Sequence, residues 1–334
     1  MIDGYWFICM ASSPTVLGAV EVVDERSSPI TYSGSSSFIR RDLTAVIYMP
    51  RSAFADDTNV VVIEDARIKA EVRLPGAATT PNATIEIYGM NKMLMNKLTM
   101  YKWQWNELTN ASIELYANQN IVFCGHIRFA TAIYENMPDV PFVIEAMFGM
   151  SWNLSPAQTL SFNGPVQAET IARSISNLMV TDKTNQKVTV INNGVNNLIV
   201  DGVYPGSPLA KLWKLQKDAN IDIVIMYDDP LNTTISLCNQ GDWRYIESGG
   251  YPVITANTGL IGVPVRQNAV WWKFNSLYNP GIKPRGKVNL QSTIVPYAEN
   301  VNLTVVSMTH YLESQNPGGM WNTEVTGQVI EQNQ

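Results

Sequence analysis

The side chains that most often carry acid–base or metal chemistry are sparse in this chain of 334 residues. Its two histidines, His126 and His310, each lie inside a strand-like run. Neither has a cysteine or carboxylate at the short spacing of a zinc site, so both read as sheet-surface or hydrogen-bonded imidazoles. Cys9, Cys124 and Cys238 are odd in number and far apart, which gives no disulfide framework and no metal set, and points to a reducing cytoplasm. A serine-hydrolase elbow would read G-x-S-x-G and a nucleotide-hydrolysing loop G-x-x-x-x-G-K-[ST]; the chain contains neither. Adjacent carboxylates occur at Asp56-Asp57 and Asp228-Asp229, the second pair before Pro230 in what reads as a hairpin turn. Glycoside cleavage needs two carboxylates about 5–9 Å apart across a cleft. The local candidates are Asp218, Asp222, Asp228 and Asp229; Asp222 projects from a strand and Asp228 from a turn, so no pair is defined. Sequons at Asn82, Asn110, Asn153, Asn232 and Asn302 are chance matches in a chain without a secretory signal. The expectation is a protein with no catalytic residues, no cofactor and no metal.

The elements that surround these residues are mostly strands. Residues 65–74 alternate without a break: Ala66, Ile68, Ala70, Val72 and Leu74 take one face, and Asp65, Arg67, Lys69, Glu71 and Arg73 the other. Period two over that length predicts a strand with one wet or partner-facing side. Strands are also expected at residues 83–88, 112–117, 121–134 and 140–148. Residues 90–101 read as a helix, with Met90, Met93, Leu94, Lys97 and Leu98 on one stripe. Asn163-Gly164-Pro165 reads as a second helix entry, with Ile171, Ile175, Leu178 and Met179 inward. Ser207-Pro208 opens a third helix, capped by the serine, with Leu209, Leu212, Trp213 and Gln216 as its stripe and Asn220 as its stop. Strands at 187–191, 221–227 and 233–238 complete a small α/β unit. From about residue 250 the chain returns to β, with candidates at 269–274, 287–292, 301–310 and 320–330. No repeat of 20–50 residues is visible.

Composition limits the function. Hydrophobic residues make up 46% of the chain and charged residues 16%, against a usual ~25%, which excludes disorder and suits a surface covered by partners. The formal charge is −6, whereas a protein that coats nucleic acid is normally basic, so no specific nucleic-acid binding is expected. No apolar run reaches the ~18 residues of a membrane helix, and the opening MIDGYWFICMASS lacks the basic region of a signal peptide. Residues 248–298 contain no Asp or Glu but do contain Arg266, Lys273, Lys283, Arg285 and Lys287, a segment of +5 inside an acidic chain. A docking surface for an acidic partner would have this bias, as would a solvated sheet face. Trp103, Trp105, Trp271, Trp272 and Trp321 lie near β segments, where interface and core roles explain them equally well.

The last eighty or so residues carry a resemblance. Gly259 to Pro264, then Asn279-Pro280, then Gly286 to Ser292, then His310, then Gly318-Gly319 with Trp321, Thr323 and Gly327 follow the order of motifs in baseplate hub proteins of contractile-tailed bacteriophages. Phe123, Gly125, Ile127 and Ala130 stand where such hubs carry "f.G.I..A" on an N-terminal strand. Residues 1–40 match nothing that can be placed.

The resemblance implies a structural protein of α+β, mainly β, class. It would have a tail-tube-like β-barrel domain with one helix at residues 1–150, a small α/β domain at 151–247 and a second tail-tube-like barrel at 248–334. Three copies would form a homotrimeric ring that adapts a hexameric tail tube to a trimeric central spike, with wedge proteins around it and a channel for DNA. The virion tail baseplate would be its location, after assembly in the host cytoplasm. The equivalent hub of a tailocin or secretion machine shares that fold. A tail-borne cell-wall hydrolase acting through the α/β carboxylates is the enzymatic alternative.

Overall fold

A computed structural model describes residues 41–49, 60–76, 79–99, 111–150, 152, 158–180, 187–229, 232–240, 252–295 and 298–330. The first segment contains β1 (Leu43–Tyr48), β2 (Val60–Ile63), β3 (Ile68–Leu74), β4 (Asn82–Ile87), helix α1 (Lys92–Leu98), β5 (Ser112–Ala117), β6 (Asn120–Ala132) and β7 (Phe142–Met147). The middle segment runs β8 (Leu160–Ser161), β9 (Pro165–Gln167), α2 (Ala168–Met179), β10 (Lys187–Asn193), β11 (Leu198–Val200), β12 (Val203–Tyr204), α3 (Pro208–Ala219), β13 (Ile221–Asp229) and β14 (Asn232–Asn239). The last contains β15 (Val253–Ile254), β16 (Leu260–Arg266), β17 (Trp271–Leu277), β18 (Lys287–Leu290), β19 (Val301–Glu313) and β20 (Trp321–Val329). The class is α+β and mainly β, as the sequence indicates.

Strands of the first and last segments share one sheet of 13 strands, in the order β16-β17-β20-β19-β3-β4-β7-β6-β5-β1-β2, with β18 also on β19 and β15 on β18. This corrects the expectation of two closed barrels: among the described residues the sheet stays open. The physical reason is the junction, where β19 pairs antiparallel with β3, Tyr311 opposite Glu71 and Leu312 opposite Ala70. That pairing joins the two segments along strand edges that separate barrels would keep to themselves. The junction also relates two similar modules. Outward from it run β3, β4, β7 and β6 on one side, and β19, β20, β17 and β16 on the other. Each module is two antiparallel pairs, consecutive in the chain, whose second strands abut.

Period-two alternation buries one face of this sheet. Ile68, Ala70 and Val72 of β3, Ala83, Ile85 and Ile87 of β4, Phe142 and Ile144 of β7, and Phe274, Leu312 and Val325 from the second module form a common core. Asp65 adopts a left-handed turn (φ 51), so the strand begins at Ile68 although the letter pattern begins earlier. Gly125 of β6 belongs to the hub-like motif, and its position explains the residue. A Cβ there would lie 2.9 Å from the backbone carbon of Met147 and 2.7 Å from Cζ of Phe123. Helix α1 is capped by the Asn91 side chain, which accepts from Met93 N–H at 2.8 Å, and it buries Met95 and Leu98. Met93, expected on the inward stripe, is 68% exposed.

In the α/β unit β14 lies between β10, parallel to it, and β13, antiparallel. Helices α2 and α3 cover it, burying Ile171, Ile175, Met179, Leu212 and Leu215 against Ile223, Ile235 and Leu237. Ser207 Oγ accepts from Ala210 N–H at 3.3 Å, Pro208 is the first helical residue and Asn220 ends α3 in the left-handed region (φ 50), all as the sequence predicts. The stripe is shifted, because Leu215 and Ala219 point inward while Trp213 is 41% exposed. Pro165 does not open a helix; it begins β9, paired with Val200, and α2 starts three residues later at Ala168. The expected turn at Asp228–Asn232 closes a β13–β14 pair, Asp229 opposite Asn232, but Pro230 and Leu231 lie outside the described residues. The unit is anchored to the sheet by Phe148, 4.8 Å from Tyr227 and 5.3 Å from Trp152, and by the Tyr227 hydroxyl, which donates to Val122 O at 3.1 Å.

Candidate assembly surface

The hub-like motif residues converge on packing. His310 on β19 faces Thr323 on β20 across the ladder, Nδ1 to Oγ1 at 2.7 Å, and both side chains are buried. The Tyr278 ring meets the His310 ring at 5.3 Å and the Trp321 ring at 5.8 Å, each edge to face. Asn279 Oδ1 accepts from Gly281 N–H at 2.8 Å and turns the chain toward β18, and Gly286 O accepts from Val305 N–H at 2.9 Å. At Gly327 a Cβ would stand 3.0 Å from that of Leu303. Gly281 to Lys287 share the spacing of a phosphate loop, but Val288 stands where the hydroxyl belongs and leads into β18, not a helix. Each of these positions therefore closes a turn, fills a gap or lets two strands approach.

Burial holds the His310 imidazole down at about 4, so the ring is neutral at neutral pH. An unfolded histidine titrates near 6.5. Stability is fully present above that value and declines as pH falls toward about 4, because only the unfolded chain then takes up the proton. The decline amounts to at most about 3 kcal/mol. Denaturant melts across this window should show a shallower slope for His310→Gln than for the parent. An identical slope would assign the acid sensitivity to other groups, such as His126, whose pKa burial also lowers.

The opposite face of the sheet is polar. Register sets Thr309, Tyr311 and Glu313 of β19 beside Arg73, Glu71 and Lys69 of β3, then Asn82, Thr84 and Glu86 of β4, then Met147, Glu145 and Val143 of β7. Its cations are matched by carboxylates: Lys69 to Glu86 at 3.1 Å, Arg73 to Glu71 at 2.6 Å, Arg128 to Glu145 at 3.6 Å and Lys273 to Glu324 at 2.8 Å. Toward both rims this face turns apolar. Val60 and Val62 on β2 are 37% and 47% exposed; Ile261, Val263 and Val265 on β16 are 41%, 53% and 58% exposed. Both β2 and β16 are terminal in the strand order, so among the described residues their outer backbone edges are unpaired.

The five basic residues of the acid-free segment differ in exposure. Arg266 ends β16 exposed, donating to Asn268 O and Ala269 O at 3.1 and 3.2 Å. Lys273 is the ion-paired member of β17. Lys283 is exposed in the loop before β18, Lys287 is half-buried on β18, and Arg285 is buried with a left-handed backbone (φ 66). The candidates for chemistry are dispersed. His126 lies on β6 and His310 on β19, in different modules. Cys124 and Cys238 are buried, and Asp218 is ion-paired with Lys214 at 3.0 Å. Asp56-Asp57, Cys9, Trp103 and Trp105 lie outside the described residues. Among the described residues no three His, Cys, Asp or Glu side chains gather as metal ligands, and no helix is long and apolar enough to cross a membrane. A cavity of about 160 Å³ opens where Leu74, Ile121, Tyr227, Tyr278 and His310 meet, and it is mostly apolar. The sequence reading missed the edge strand β16 and the matched charges. The alternation at residues 65–74 was the available signal for the latter.

Solved structures with a similar fold include a type VI secretion component and two tail proteins. The E. coli c3393 protein, a type VI secretion component described as similar to T4 bacteriophage tail proteins gp27 and gp5, superposes with a TM-score of 0.59 at 9% identity, covering 80% of this chain and 75% of its own. The tail protein from Neisseria meningitidis MC58 gives 0.58 at 8% identity, covering 86% and 96%. The 43 kDa tail protein of prophage MuSo2 from Shewanella oneidensis gives 0.54 at 9% identity, covering 86% and 97%. At such identities the likeness is one of fold. No curated protein matches the chain by sequence. The profile of the family described as baseplate hub gp41 matches residues 43–324, from the first residue of β1 into β20. With most of its length matched, the chain belongs to the baseplate hub gp41 family, which makes it a component of the virion tail.

Proposed function

We propose that the chain is a structural hub subunit, not an enzyme. Three copies close into a ring that adapts the hexameric tail tube to the trimeric central spike and leaves a channel for DNA. The observation that carries this reading is the duplication within one sheet: two four-stranded modules of like connectivity, joined at β3 and β19. A ring of three such chains offers six similar modules to a sixfold partner and threefold symmetry to the other. The exposed valine-rich rims on β2 and β16 support edge-to-edge closure, since exposed apolar strands at a sheet edge invite pairing. The α/β unit and the division at about residues 150 and 247 belong to the same reading. Wedge proteins surround the ring, assembly takes place in the host cytoplasm, and Arg266 and Lys283 are the basic residues a docking partner reaches. Light scattering of the purified chain, with and without its spike, tests the proposal. A mass near three times 37.2 kDa, with rings around a central hole in negative stain, is expected. A strict monomer even with spike present would overturn it.

A further inference from the structure

We propose that the cavity where the two sheet modules and the α/β unit meet is a socket for a protein partner, taking one aromatic side chain that is flanked by carboxylates. The inference rests on the reading of Lys283 as a residue that a partner reaches, and it does not require the ring. Three parts of the chain build the walls: Leu74 at the end of β3, Met226 and Tyr227 of β13, and Tyr278, Met308 and His310 of the second module and its loops. The volume is about 160 Å³, close to the ~150 Å³ of a cavity that takes up one benzene ring. One aromatic side chain therefore fills it. The walls suit such a guest, because Tyr227 and Tyr278 offer aromatic surface and the thioethers of Met226 and Met308 adapt to a ring and contact it favourably. Pro75, Pro81, Pro280 and Pro284 also line the cavity, and their fixed φ angles form much of the socket before anything enters it. Charge selects what flanks the ring. Lys283 belongs to the lining and is exposed, so it stands at the mouth. No lining residue is acidic, and among the described residues no carboxylate forms an ion pair with Lys283. Its loop lies within residues 248–298, which contain no Asp or Glu. A carboxylate beside the inserted ring would thus meet an unmatched cation. Two inner polar groups that could orient a free small molecule are already engaged: the Tyr227 hydroxyl donates to Val122 O at 3.1 Å, and His310 Nδ1 meets Thr323 Oγ1 at 2.7 Å. The guest must be positioned by the chain that carries it, which points to a protein.

The test uses the full-length chain and three blocked peptides with the cores Asp-Phe-Asp, Asn-Phe-Asn and Asp-Ala-Asp, titrated at low salt and followed by peptide NMR. The acidic aromatic peptide should bind with a dissociation constant of about 1 mM or tighter. Loss of the ring should weaken binding at least about tenfold, and loss of the carboxylates about threefold, with the second difference vanishing at high salt. Two variants locate the site. Thr234→Trp plugs the cavity from a half-buried lining position and should abolish binding. Lys283→Glu should weaken the Asp-Phe-Asp peptide about three- to tenfold and leave the Asn-Phe-Asn peptide unchanged. Lys92→Glu makes the same charge change at an exposed position outside the lining and should match the parent. Thermal melts verify folding; if the plugged variant does not fold, the exposed Lys283 position still decides. No binding of the acidic aromatic peptide by the parent, equal binding of all three peptides, or full binding by Lys283→Glu would overturn the proposal. Phenylacetate that binds as tightly as the peptide would make this a small-carboxylate site and overturn the protein partner. The native mass of the same samples separates this inference from the hub reading. A trimer that ignores the peptide overturns the socket alone, whereas a monomer that binds it as expected upholds the socket and overturns the hub.

Discussion

Trp321→Ala should destabilise the folded chain by about 3–5 kcal/mol, as deletion of a buried indole usually does. Trp321 is 8% exposed and opens β20 opposite Leu312, which in turn stands opposite Ala70 across the module junction. Its ring supports the edge of Tyr278, and its carbonyl accepts from Tyr278 N–H at 3.1 Å. Tyr278 lies against His310, so removing the indole leaves a void beside the ring that supports the buried histidine. Neighbouring strands cannot close that void without breaking the β19–β20 ladder, which places the cost at the high end for a core site. Denaturant melts read the loss directly. Trp321→Phe, which keeps an aromatic edge for Tyr278, should recover about half of it. A cost below about 1 kcal/mol for the alanine variant would mean that the cluster is not the packing centre described here.

How the sequence encodes these features differs from place to place. The alternation at residues 65–74 fixed the two faces of β3 because period two is a local property. The caps of α3 were likewise readable, since Ser207, Pro208 and Asn220 act within a turn of themselves. Stripe phase was less secure. Trp213 and Met93 look inward by letter type yet are exposed, because burial depends on which partner the helix meets. Pro165 suits a helix start, but pairing of β9 with β11 overrides that local preference. The three-residue β9 and β11 and the two-residue β8 and β12 are too short to show any period. The open sheet was out of reach for another reason. The β3–β19 junction joins residues 246 apart, as in the ion pair of Arg67 with Glu313 at 2.9 Å, and no window of sequence contains both. The hub-like motif letters were visible, whereas their shared role around His310 emerged only from the fold. The five basic residues are close in sequence yet differ in exposure, Lys283 lying exposed and Arg285 buried, which the letters alone do not show.

On the proposed trimeric ring, charging one rim of the sheet should abolish closure while leaving the subunit intact. Val263 and Val265 on β16 are more than half exposed, so Val263→Lys with Val265→Lys should change the stability of the single chain by no more than about 0.5 kcal/mol per site. At a subunit contact the same substitutions bury two ammonium groups without partners, at several kcal/mol each. Association weakens about tenfold for every 1.4 kcal/mol, so the trimer should weaken by well over a hundredfold and the mass fall to that of one chain. Lysine at an exposed edge is also the device by which natural sheets refuse further pairing. Met93→Lys with Met137→Lys is the charge-matched control, because these residues are 68% and 70% exposed on α1 and between β6 and β7, away from either terminal strand, and should leave assembly unchanged. If the β16 variant melts like the parent yet keeps its trimeric mass, β16 is not a closing edge. Equal loss in both variants would point to net charge as the cause. Loss confined to the β16 variant, with an unchanged melt, is the outcome that an open sheet closing through its rims requires.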